Sequence, residues 1–215
     1  AATAWRAAGG PSLRILSPHG GRVPAGSRIR VSESVTAYVA TKVAARAKRS
    51  TVGDPRDEKT IVGPMSSQAH LAKVRSYIEQ AVAEGARVVA GGAERPEGLD
   101  KGYYVQPTVL ADVKPGSTVE QEEVFGPVLS VIPYATEDEA VDIANGTLYG
   151  LSGGVFSGDQ ERGVAIARRL RTGMVDVNGG RFNHLAPFGG YKQSGNGREL
   201  GEYGLEEFLE IKSLQ

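Results

Sequence analysis

The stretch EEVFGPV at 122–128 carries the most suggestive chemistry in this 215-residue sequence. If it is extended, Glu123 and Phe125 place their side chains on the same side. A carboxylate beside an aromatic face suits a ligand with adjacent hydroxyls and a flat ring, such as a ribose joined to a heteroaromatic base. On this motif alone, a solvated acidic turn with Phe125 in the core outweighs that reading. A second candidate is PFGGYKQSGNGRELGEYGLEEFLEIKSL at 187–214, whose glycines imply close backbone approach or positive φ. Arg198 and Glu210 could pair there, since the fork of an arginine suits a carboxylate. Two apparent phosphate loops fail on spacing. GNGRELG has a last gap one residue too long for a dinucleotide fingerprint, and GGYKQSG lacks the Ser/Thr that follows a Walker lysine. Asn145-Gly146-Thr147 matches a glycosylation sequon, but Asn-Gly fits a helix end better.

Composition removes other chemistries. With no Cys there are no disulfides, thiolate zinc sites or cysteine nucleophiles. The three His (His19, His70, His184) lie far apart in sequence, so no local metal motif exists. Forty per cent hydrophobic and 23% charged residues are ordinary for a soluble globular chain, and no apolar run reaches a membrane span. The expectation is a cytoplasmic protein with no metal and no membrane partner. The zero net charge hides an asymmetry: residues 1–50 hold nine Lys/Arg and one acid, and the rest hold 16 and 24. A basic arm could attract nucleic acid. It has few aromatics to stack bases and no nucleic-acid motif, so no nucleic-acid partner is expected.

The elements that must position these residues follow from periodicity. Residues 1–25 are rich in Ala, Gly, Arg and Pro, lack a sustained period, and read as aberrant or disordered. RIRV (28–31) reads as a strand, 35–48 as a helix, and 68–84 as an amphipathic helix closed by Gly85. RVVAGG reads as a short buried strand, and YYVQPTVL (103–110) and VLSVIPY (128–134) as further strands. Thr136 with Glu139 forms a capping box opening a helix to about Asn145. GLSGGVF (150–156), a helix capped by Asp159 that runs to Arg171, and GMVDVN (173–178) follow. The tail predicts a short helix and a final strand near FLEIKSL. Alternating strands and helices favour α/β, an open, mostly parallel, doubly wound sheet.

Five ordered blocks together resemble the aldehyde dehydrogenase superfamily: AGSRIRV (25–31), VGDPRDEKTIVGPMSSQAHLAKV (52–74), GYYVQPTVLADV (102–113), EEVFGPVLSVIPY (122–134), and the run from YGLSGGVFSGD (149–159) to PFGGYKQSGNGRE (187–199). They cover close to 90% of the chain. The resemblance implies a catalytic α/β domain over 26–207, the start of an oligomerisation strand at 208–215, and 1–25 outside the pattern. It also implies that most of the cofactor domain and the upstream general-base glutamate are absent.

In that family a cysteine thiolate attacks the aldehyde, hydride passes to the nicotinamide of NAD or NADP, and activated water hydrolyses the thioester. The nucleophile lies five residues before the arginine of AGSR; here that position is Val23, which cannot serve. Residue by residue, the resemblance makes Glu123 the ligand of the nicotinamide ribose and Phe125 the aromatic beside the ring. It makes Arg198 and Glu210 a structural ion pair, and Glu199 a member of a proton path. The implied whole is a homo-oligomeric oxidoreductase acting on a small aldehyde, present here as a fragment lacking nucleophile and most of the cofactor domain. The alternative is a catalytically dead interaction module that joins intact subunits. Out-of-frame translation, a pseudoenzyme lineage and deliberate alteration each account for residues 1–25.

Overall fold

The computed structural model describes residues 27–215. The expected change of texture at Gly26, and Val23 with it, lie outside the described residues. The chain divides into two units, residues 27–143 and residues 144–215.

The first unit is built on a four-stranded sheet in the order β1-β4-β3-β2. Its strands are β1 (Arg28–Ser32), β2 (Arg87–Ala90), β3 (Thr108–Ala111) and β4 (Val128–Tyr134). β4 runs parallel to both β1 and β3, while β2 joins β3 antiparallel, so the sheet is mostly parallel as expected. Helices cover both faces, which is why the first five residues of β4 are all buried and read as an almost unbroken apolar run. Helix α1 (Glu33–Ala47) lies against all four strands. It buries Thr36, Val39, Ala40, Val43, Ala44 and Ala47, a single stripe at helical spacing.

Helix α2 (Gln68–Ala83) packs Leu71, Val74 and Ile78 into one cluster with Leu110, Val128 and Ile132. Its start is fixed by the Ser67 hydroxyl, which accepts the His70 amide at 3.1 Å. Its end is fixed by Gly85 at φ +100°, where the Gly85 amide donates to Val82 and the Ala86 amide to Ala81. A short helix α3 (Thr118–Gln121) precedes β4, and α4 (Glu137–Asn145) follows it. Thr136 accepts the Glu139 amide at 3.2 Å, but the Glu139 carboxylate returns to the Ala135 amide at 2.7 Å, one residue earlier than a simple capping box.

The second unit holds β5 (Ser152–Val155), α5 (Gln160–Ala167) and β6 (Met174–Val177), a parallel β-α-β crossover unit in register Ser152 to Met174. Asp159 caps α5 through the Arg162 amide at 3.1 Å. A 3₁₀ turn, Lys192–Ser194, and α6 (Gly201–Glu206) complete it. Asn145 bonds the backbone of Arg169 and Arg171, so the sequon asparagine serves as a structural clasp.

Several expectations are corrected. β2 is buried only at Ala90: Arg87 and Val88 are exposed, because β2 is the last strand of the described sheet and pairs on one side only, with β3. The strand expected over 103–110 is ordered as one only from Thr108, although Tyr104 and Val105 are buried. No strand forms at FLEIKSL. Residues 207–215 are all exposed and carry no regular structure, since a strand needs a neighbour for its backbone groups and the described residues offer none there.

The glycine density of the second unit does mark close approach. A Cβ on Gly173 would sit 1.8 Å from the Gly189 carbonyl oxygen, a backbone atom that cannot step aside. Gly173→Ala is therefore expected to destabilise the chain by about 2–3 kcal/mol. A shift in the urea midpoint at unchanged slope, with the second unit's amides losing protection first, is the outcome to look for.

Candidate cofactor-binding groove

The first two turns of α2 and the loop 122–127 enclose an open groove of about 490 Å³, lined by Ser66, Ala69, His70, Lys73, Val124 and Phe125. The loop can lie on the helix because Gly126 has no side chain: a Cβ there would sit 2.9 Å from both methyls of Val74. Val124 and Val128 on either side are buried, which pins the loop at two points.

Phe125 between them is not in the core. It is 74% exposed and sits at φ +56°. For a bulky residue the left-handed conformation costs about 1–2 kcal/mol. An exposed ring gains little hydrophobic return for that strain, which is why the conformation points to use rather than packing. It also breaks the alternation expected of an extended EEVFGPV, so the same-side placement of Glu123 and Phe125 does not follow from strand geometry. The conformation is held from α2: His70 Nε2 lies 2.8 Å from the Phe125 carbonyl oxygen. That oxygen can only accept, so Nε2 carries the proton. Nδ1, 3.0 Å from the Ser66 hydroxyl, then accepts. The His70 and Phe125 rings tilt at 52° with centroids 6.4 Å apart.

Glu123 is exposed and its carboxylate makes no hydrogen bond to another described residue. It lies in the loop but not among the groove's lining. Its neighbour Glu122 is occupied: the Tyr77 hydroxyl donates to its Oε2 at 2.6 Å, and Arg28 donates to its carbonyl. Lys73 brings the groove's positive charge, 5.6 Å from the Tyr77 ring centroid. Ser66, His70 and Lys73 were not singled out from the sequence. The available signal was their common spacing of four and three, with Ser66 just before the cap of α2 and His70 and Lys73 in its first two turns, beside the stripe of Leu71, Val74 and Ile78.

Below the groove, Glu84 at the end of α2 clasps α3. Its Oε1 accepts from the Thr118 hydroxyl at 2.7 Å and its Oε2 from the Thr118 amide at 2.9 Å, with Gln80 adding a third bond. The Thr118 hydroxyl bond, with the Thr118 amide and Gln80 behind it, holds the Glu84 carboxyl below its ordinary range.

In the second unit, Arg198 and Glu210 do not form the expected ion pair. The Arg198 guanidinium donates instead to the carbonyls of Gly190, Asn196 and Gly197, at 2.9, 3.0 and 2.9 Å. The physical reason is the missing strand: Glu210 is exposed in residues without regular structure, and the Arg198 guanidinium is already held by three backbone carbonyls. Glu199 is exposed, with its backbone bridged to Phe188. Lys192 is spent on the carbonyls of Asn145 and Thr147, at 2.7 and 2.9 Å. Desolvation, then Arg171, lowers its pKa. Among the described residues, no cluster of His, Asp and Glu could hold a metal ion, and no helix is long and apolar enough to cross a membrane.

Two outcomes follow for the groove. Because the Glu84 carboxyl is lowered, its stabilising effect is complete above the ordinary carboxylate range and is lost as pH falls through the lowered value. Glu84→Gln should therefore lower the melting temperature at neutral pH and leave it unchanged at strongly acidic pH, read by calorimetry across pH. His70→Ala removes the ring's bonds to the Phe125 carbonyl and to Ser66, each worth about 1 kcal/mol, and should speed amide exchange at Phe125 and Gly126 while β4 stays protected.

Comparison with known proteins agrees with the motifs. The model of the aldehyde dehydrogenase family matches residues 6–214, and so takes in most of the segment whose composition stands apart. The chain is 52% identical over 167 residues to a 3-succinoylsemialdehyde-pyridine dehydrogenase of Pseudomonas sp., covering 78% of this chain and 35% of that protein. Among solved structures, a mutant aldehyde dehydrogenase C of Pseudomonas syringae, in complex with NAD+ and octanal, superposes with a TM-score of 0.89. It is 40% identical and covers 96% of this chain and 43% of its own. An aldehyde dehydrogenase of Mycobacterium tuberculosis complexed with NAD+ gives 0.86 at 41% identity, over 92% and 41%. The chain thus spans less than half the length of the relatives it matches. With a family match over nearly its whole length and a shared fold at that identity, the chain belongs to the aldehyde dehydrogenase family.

Proposed function

We propose that this chain is the catalytic-domain portion of a dehydrogenase that oxidises an aldehyde to a carboxylic acid with NAD(P)+, and that the groove at Phe125 receives the ribose and nicotinamide end of the cofactor. The observation that carries this is Phe125 itself, an exposed aromatic ring held on strained backbone by His70. The residues fit the group. A flat ring needs a flat apolar partner, which Phe125 offers. Ribose hydroxyls need acceptors, and Glu123 has a carboxylate with both oxygens uncommitted among the described residues. The Lys73 ammonium offsets the phosphate charge that accompanies a dinucleotide. When bound, NAD(P)+ supplies the hydride acceptor. Within this reading the aldehyde is a small-molecule substrate, the whole protein is a cytoplasmic homo-oligomer, and Glu199 is the candidate for a proton path.

A second reading is favoured by two observations. The sequence has no Cys, and Val23 stands where the family resemblance puts the nucleophile, five residues before the arginine of AGSR. The stretch ending the chain exposes Leu205, Phe208, Leu209, Ile211 and Leu214, four of them to 60% or more. A chain that keeps an apolar docking segment while lacking the nucleophile suits a catalytically dead module that joins intact subunits through residues 208–215.

The isolated chain is expected to produce no NADH from any aldehyde, and Val23→Cys alone should not restore turnover. Spectrophotometry on protein free of host dehydrogenase checks both, and turnover by the unaltered chain would exclude the inactive reading. Titration with nicotinamide mononucleotide tests the groove separately. Binding that Phe125→Ala weakens about tenfold, as loss of one stacked ring at about 1.4 kcal/mol would, supports the assignment. Equal binding by both proteins overturns it.

A further inference from the structure

The loop that carries Glu123 and Phe125 begins on a buried charge. Glu120, in α3, is 1% exposed. Its Oε2 accepts the Gly116 amide at 3.1 Å and a bond from the Gln121 side chain. Its Oε1 has no hydrogen-bond partner and faces Arg30 Nη2 of β1 at 3.6 Å. Arg30 is itself largely buried. Nη2 also reaches the Ile143 carbonyl at 3.3 Å, Nε has no hydrogen-bond partner, and desolvation outweighs Glu120 to bring the guanidinium down to about 10.

For stability this is a poor arrangement. Two ions are taken out of water, and 3.6 Å with an orphan oxygen recovers only part of that cost. Well-packed apolar residues at the same two positions are often no worse, so the pair is better explained by geometry than by stability. Its placement supplies the geometry. Arg28, two residues along β1 on the same face of the sheet, donates to the Glu122 carbonyl, so β1 grips the segment 120–122 twice. From the other side α2 grips Glu122 through Tyr77 and Phe125 through His70. Glu123 lies between these holds, one residue past the last β1 contact.

We propose that Arg30 and Glu120 are positioning residues for the groove: the buried pair sets how far α3 advances along β1, and thereby where Glu123 and Phe125 present themselves to a ribose and its base. Neither residue lines the groove, and neither touches the ligand. An apolar pair in their place lets α3 settle by packing alone, which leaves the fold intact and the loop poorly placed. The ligand half of this proposal rests on the cofactor reading above; the loop half does not.

The test is the double variant Arg30→Met/Glu120→Leu in the full chain, with Arg30→Lys as the conservative control. Three quantities are read: melting temperature, amide exchange at 121–126, and affinity for nicotinamide mononucleotide. The expected result is an equal or higher melting temperature, exchange at 121–126 at least fivefold faster with β3 and β4 unchanged, and affinity lowered at least fivefold, while Arg30→Lys stays near the parent in all three. Unchanged exchange in the loop overturns the proposal. So does a fall in melting temperature with faster exchange throughout the first unit, which would mark the pair as merely structural. If the parent chain binds no mononucleotide, the cofactor reading fails on its own, and the exchange measurement still decides the role of the pair.

Discussion

The first unit depends on one constraint, that β4 is buried on both faces. A strand between two parallel neighbours, with α1 on one side and α2 on the other, leaves no freedom in register or direction. The segment entering it is then aimed by the sheet rather than by its own preferences. Gly126 and Pro127 must bring the chain over Val74 and into Val128, and Phe125 is left in a conformation it would not choose alone. The core thus fixes where the loop runs, and His70, from the covering helix, holds the strained carbonyl of Phe125 where the exposed ring can be used.

Much of this was legible in the residues. α2 and its Gly85 exit follow from spacing and capping chemistry, which act locally and survive any tertiary context; the Ser67 cap was not read. β4 is legible because two-sided burial demands a continuous apolar run. The motif EEVFGPV was visible too, but its geometry was not. Periodicity assumes one backbone conformation along a segment, and a single left-handed residue at Phe125 defeats that assumption. His70 and Lys73 read as ordinary polar residues of an amphipathic helix, since what distinguishes them is the loop laid against them, with Phe125 55 residues on from His70. β2 was misjudged as buried because Val88, Val89 and Ala90 give the same signal in an interior strand and a marginal one.

The Arg198–Glu210 expectation failed for a related reason. Pairing between distant residues requires that both be held, and only Arg198 is. The glycine-rich run around it folds back on itself so tightly that its carbonyls converge on the guanidinium from three positions. The family resemblance implied a partner for Arg198; in this structure the local carbonyls take its guanidinium instead. Membership of the aldehyde dehydrogenase family and the idiosyncrasies of this chain are therefore different kinds of statement, the first carried by motifs in order and the second by individual contacts.

The margin of the sheet at β2 has a consequence for how the protein behaves in a crowded solution. Pairing with β3 slips between Val88 and Ala90, and the Arg87 side chain meets Asp112 at 3.0 Å across the rim. A slipped register spoils the straight row of amides and carbonyls that another chain would need as a template, and the exposed charges tax any approach. Among the described residues the sheet therefore ends at β2 by irregularity and charge, with α1 on one face and no strand beyond it. That resists open-ended polymerisation while costing the interior nothing, since Ala90, the one residue of β2 that is buried, sits at the far end of the slip.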